Sequence, residues 1–101
     1  MYRQGDVLLV SVAEVPSDAM KVDRAGGRIV LALGEVTGHA HLIESIDAEL
    51  LEHRTTRYVR VASKGAELTH EEHGPIALPP GQYRVVLQRE YQPEGIRTVS
   101  D

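Results

Sequence analysis

The chain has 101 residues, 42% of them hydrophobic and 26% charged, with a formal net charge of −4. Those values fit a single ordinary globular unit, argue against a disordered chain, and weigh against non-specific binding to nucleic acid. Cysteine is absent, which excludes disulfides, thiolate nucleophiles and Cys-ligated zinc or iron-sulfur centres.

Four tyrosines and no Phe or Trp mean that the core must come mainly from Val, Leu, Ile and Ala. The first apolar run, Val7 to Val10, is too short for a signal-peptide core or a membrane span, so a cytoplasmic location is the default expectation. One β domain is expected over residues 1–95, with 96–101 as a tail or a strand donated to a neighbour.

Residues 5–15 read as a first strand whose near-continuous apolar residues predict burial on both faces. Residues 20–23 and 28–33 flank Arg24-Ala25-Gly26-Gly27, where two glycines supply the positive φ of a tight turn, so a hairpin is expected there. Residues 39–45 look like a strand, and 48–53 like a short strand or a turn and a half of helix. Residues 57–61 alternate cleanly, with Val59 and Val61 on one face and Tyr58 and Arg60 on the other. Short strands follow at 66–69 and at 76–78, the latter between Gly74-Pro75 and Pro79-Pro80-Gly81. The longest is expected over 82–91, with Tyr83, Val85, Leu87 and Tyr91 in phase. About eight short strands and no long amphipathic helix predict an all-β barrel or sandwich.

Four of the five histidines fall in two segments, His39-Ala40-His41 and His70-Glu71-Glu72-His73. Alternate strand residues share a face, so His39 and His41 project together with Cα atoms about 6 to 7 Å apart, a span that two imidazoles can close around one ion. His70 and His73 converge only if Glu71-Glu72 forms a turn, which the following Gly74-Pro75 favours. Neutral imidazoles with one carboxylate suit a divalent Zn, Fe, Mn, Ni or Cu ion. Glu44, Glu71 and Glu72 are the nearby carboxylates, although strand alternation points Glu44 away from His39 and His41. In an enzyme, Glu71 or Glu72 would move protons. Without catalysis, the ion would stabilise the fold or be sensed. His53, beside Arg54 on an exposed edge, is read as structural.

Gly34, His39-Ala40-His41 and Glu44 resemble the first cupin motif, and residues 76–81 look like the Pro-Gly turn of the second. The resemblance covers roughly residues 34–86. It implies a small β-barrel that holds a metal with three histidines and a glutamate. The place of the late cupin histidine falls near Arg84, so His70 or His73 would stand in for that ligand.

Other classes of function are open at this level. Arg54, Arg57, Arg60, Arg84 and Arg89 alternate with Tyr58, Tyr83 and Tyr91, which suits a nucleic-acid-binding barrel or, more simply, solvated strand faces. An interaction or accessory subunit would pair an edge strand, such as 82–91, with another chain. The partners expected are therefore a second copy or another chain at an edge strand, and a small-molecule substrate. The acidic balance argues against nucleic acid, and the short apolar runs against a membrane. No nucleophile elbow, GxGxxG or Walker loop is present.

Overall fold

The computed structural model of the protein describes residues 1–33 and 38–88. Ten strands form among them: β1 (Tyr2–Gln4), β2 (Val7–Val12), β3 (Met20–Val22), β4 (Ile29–Leu33), β5 (Ala40–Ile43), β6 (Ala48–His53), β7 (Thr56–Val61), β8 (Ala66–Thr69), β9 (Ile76–Leu78) and β10 (Gly81–Leu87). The fold is all-β, as the strand periodicity predicts. No helix among the described residues is long and apolar enough to cross a membrane.

Two antiparallel sheets result, one ordered β1-β2-β10-β7-β6-β3 and the other β4-β5-β8-β9. They do not close into a barrel. Both sheets contribute to one core: Val7, Leu9, Leu50, Val59, Val61 and Tyr83 from the six-stranded sheet meet Ile29, Leu31, Ile43, Leu68 and Leu78 from the four-stranded one. Strand alternation sends these residues inward. β2 is buried on both faces over its first half, since Leu8, on the opposite face from Val7 and Leu9, is also buried.

The structure corrects the expected hairpin over 20–33. Ala25 and Arg28 do exchange backbone hydrogen bonds of 2.8 and 3.2 Å around Gly26-Gly27, so the tight turn exists. Its two strands nevertheless part, β3 pairing with β6 and β4 with β5 in the other sheet. Turn chemistry reverses the chain, but Ile29 and Leu31 are buried only if β4 leaves the largely exposed β3 and joins the opposite sheet. A register shift between Val30 and Ala32 then leaves adjacent Leu31 and Ala32 both buried.

The first strand is also divided. Gly5 and Asp6 form a two-residue turn between Gln4 and Val7, so the expected strand over 5–15 is the second arm of a hairpin. Residues 48–53 are a strand, paired with β7 from Ala48↔Val61 to His53↔Thr56. β10 is the longest strand, and Tyr83 on it is buried, its hydroxyl donating to Pro79 O at 2.6 Å. Burial and the nearby Tyr2 ring push the Tyr83 phenol above its ordinary value. The expectations for Arg89, Tyr91 and the tail over 96–101 lie outside the described residues.

Arginine side chains stitch the sheets. Arg57 on β7 donates to Leu31 O on β4 at 2.6 Å. Arg24 donates to Gly27 O, Ser45 O and Ala48 O, the last at 2.8 Å, tying the turn after β3 to the strand that β3 pairs with.

Candidate metal centre

Alternation places the histidines before any metal is considered. Residues 39, 41 and 43 share a face, and Ile43 on that face is fully buried in the core. His41 therefore continues the inner face and is 5% exposed, while His39, just before β5, stands at its mouth. Residues 66, 68 and 70 repeat this on β8, with Leu68 in the core and His70 one step outward. The chain then bends through 71–73, which returns His73 toward the same point.

The two segments meet. The His70 ring centroid lies 4.3 Å from that of His41, 4.6 Å from His73 and 5.7 Å from His39, and the His41 and His73 rings stack at 6.0 Å. Among the described residues, one set of three has its donor atoms all within 4.8 Å of one another: His39, His70 and Glu71.

Glu71 is fixed by the strand that carries His39 and His41, since its Oε1 accepts the Ala40 N–H at 2.9 Å across 31 residues of sequence. That bond, and next its own backbone N–H, lower its carboxyl pKa below the ordinary value; desolvation opposes them, and the His39 and His70 rings add smaller lowering effects. An ionised carboxylate beside two imidazoles suits a cation. Glu72 points its carboxylate at His39, Oε2 to Nδ1 3.5 Å, and donates its backbone N–H to His70 Nδ1 at 3.0 Å. Glu44, just past β5, is exposed and stands apart from the three-donor set, as its place in the alternation predicts. His53 pairs with Asp18 at 3.1 Å on the far side of the sequence, consistent with a structural role.

Three further residues, Gln4, Gly5 and Asp6, complete the neighbourhood, and sequence reading did not single them out as part of a site. Gln4, on β1, is 2% exposed. Its Nε2 donates to Leu68 O at 3.0 Å and Gly74 O at 2.9 Å, while its Oε1 lies 2.9 Å from His41 Nδ1. With both amide hydrogens engaged, the Gln4 oxygen faces the ring, so His41 Nδ1–H is the donor and Nε2 is the nitrogen turned outward. Nε2 is 3.5 Å from Asp6 Oδ1. Gly5 lies between Gln4 and Asp6 with φ +60, and a Cβ there would stand 2.8 Å from His73 Nε2 and 3.3 Å from His41 Cε1. The signal that could have found these residues is the Gly5-Asp6 pair, a two-residue hairpin turn just before the apolar run.

Of the Arg and Tyr residues on the strands, Arg57 and Tyr83 are engaged in the bonds given above, and Arg60 pairs with Glu49 at 3.3 Å. Gly34, the first residue of the cupin-like pattern, lies outside the described residues.

No curated protein and no solved structure matches the chain. A family model described as a domain of unknown function, DUF8820, matches residues 3–88, and the chain belongs to that family.

Proposed function

We propose that the protein binds a divalent transition-metal ion between His39, His70 and Glu71. The observation that carries this reading is the convergence of two segments far apart in sequence on one three-donor set within 4.8 Å. Two imidazoles and a carboxylate suit Zn, Fe, Mn, Ni or Cu. The donors sit at the edge of the fold, Glu71 exposed and both histidines half-buried, which supports an open coordination position of the kind an enzyme needs.

A bound ion would supply Lewis acidity to an oxygen ligand at that position. Glu72, next to His39 and exposed, is the residue available to accept a proton there. A cupin-like role is part of this proposal, with Glu71 and not Glu44 giving the carboxylate. Its partners are a small-molecule substrate at the open position and a second copy of the chain at a sheet edge, in the cytoplasm.

Loading carries a local consequence. His70 Nδ1 holds the Glu72 amide, so ligation at Nδ1 displaces that amide, and ligation at Nε2 moves the ring proton to Nδ1 and repels it. Elemental analysis of the untagged protein, with His39→Ala and His70→Ala beside it, tests the reading. Near-stoichiometric metal lost in both variants, together with faster exchange of the Glu72 amide on loading, is expected. Metal-free protein with unchanged melts in chelator and no uptake of the five ions would sink it.

A further inference from the structure

We propose that Gln4 is a positioning residue of the metal centre, its one buried amide gripping both of the segments that bring His39, His70 and Glu71 together. The proposal rests on the metal-binding reading of that set and deepens it with a residue that is not itself a ligand.

The register pairs Gln4 with Val7, a core residue, so the short strand β1 turns this side chain inward and buries it. From there the amide reaches the other sheet. Its two hydrogens go to Leu68 O, two residues before His70, and to Gly74 O, three residues after Glu71. The segment that carries two of the three donors is thus pinned on both sides of them.

The amide oxygen holds the second segment, by way of the His41 ring at Nδ1. His41 directly follows Ala40, whose N–H binds the Glu71 carboxylate, and His39 directly precedes it. The His41 ring held in this way is also the surface that the His70 ring lies against, with centroids 4.3 Å apart.

Such a grip matters because residues 71–73 lie outside the strands, where no ladder sets their shape. Side chains hold this bend instead: Glu71 on the Ala40 amide, His70 on the Glu72 amide and Gln4 on Gly74 O. Loading disturbs the second of these contacts and draws on the carboxylate of the first. Gln4 coordinates nothing, so its grip carries over from the metal-free to the metal-bound protein. Replacing an outer group that orients metal ligands changes affinity by about 10- to 100-fold.

The test is calorimetric titration of the full chain with Zn2+ and visible absorption with Co2+, comparing wild type with Gln4→Met and Gln4→Asn. The first keeps the side-chain length and removes the amide; the second keeps the amide and shortens its reach by one methylene. Arg24→Ala is the control for a loss of stability at the other glycine turn, and every variant is titrated below its melting transition. Both Gln4 variants should bind Zn2+ at least about tenfold more weakly and show an altered Co2+ spectrum at saturation, with Arg24→Ala within about threefold of wild type and its spectrum unchanged. Wild-type affinity with an unchanged spectrum in either Gln4 variant that folds would overturn the proposal. An equal loss in Arg24→Ala would overturn it too, by marking a general effect of stability. In both cases a wild-type ion that His39→Ala abolishes keeps the metal-binding reading. A wild type that takes up neither Zn2+ nor Co2+ removes both.

Discussion

Two turns that open on a left-handed glycine do different work. Gly5 has φ +60 and Gly26 φ +62, and each begins a tight reversal. Around Gly26 and Gly27 a Cβ would meet nothing within 4 Å, whereas at Gly5 it would collide with His73 and press on His41. Each turn also has a clamp. Gln4 is buried and ties β1 to the opposite sheet and to His41, while Arg24 holds its own loop to carbonyls of the surface. A left-handed glycine thus serves chain reversal alone at one turn and the floor of a candidate site at the other, and the side chains packed over it make that difference.

Gln4→Leu should break this contrast most. It leaves two carbonyls and an imidazole N–H without partners at a buried position, a loss of about 3 kcal/mol in urea unfolding, and it should weaken metal uptake as well. Arg24→Ala is expected to cost about 2 kcal/mol, since three backbone carbonyls lose charge-assisted donors near the surface. Metal uptake should not change. Equal effects of the two variants on metal content would erase the distinction.

Gly5→Ala should destabilise by about 1 to 2 kcal/mol through left-handed strain and also shift the His73 ring signals in NMR spectra. Gly26→Ala meets open space, so strain alone, about 1 kcal/mol, is expected, with the histidine resonances in place. Identical histidine spectra in the two variants would show that Gly5 does not shape the cluster.

The smallest expected effect concerns Glu71. Its carboxyl pKa is lower in the folded chain than its ordinary value, so its ionised form favours folding. That contribution is present above the ordinary carboxylate range and fades as pH falls through the folded value. The difference in melting temperature between wild type and Glu71→Gln in chelator should therefore be small near neutrality and vanish in acid. A difference that grew on acidification would contradict the Ala40 contact.

Part of the site is legible in the residue order. His39 and His41 share a face because alternate strand residues do, and the same alternation turns Glu44 outward. His70 follows in phase with Leu68. His73 is not legible in this way, because its position depends on a bend over three residues that no periodicity encodes. Gln4 and Asp6 are hidden for a different reason: β1 is only three residues long, too short for its pattern to stand out from the loop before Val7.

By itself, the sequence determined an all-β chain of short strands, the turns at Gly26-Gly27 and around Gly74-Pro75, the inward face of most strands, and the pair of histidine segments. Each of these follows from dihedral preference and a period of two, which act over a few residues. Only the tertiary structure decided that β3 and β4 part into different sheets, that Gln4 reaches across to Leu68 and His41, and that the four histidines meet beside Asp6. Those outcomes depend on which apolar faces bury one another, a choice made between strands distant in sequence and therefore invisible to any local pattern.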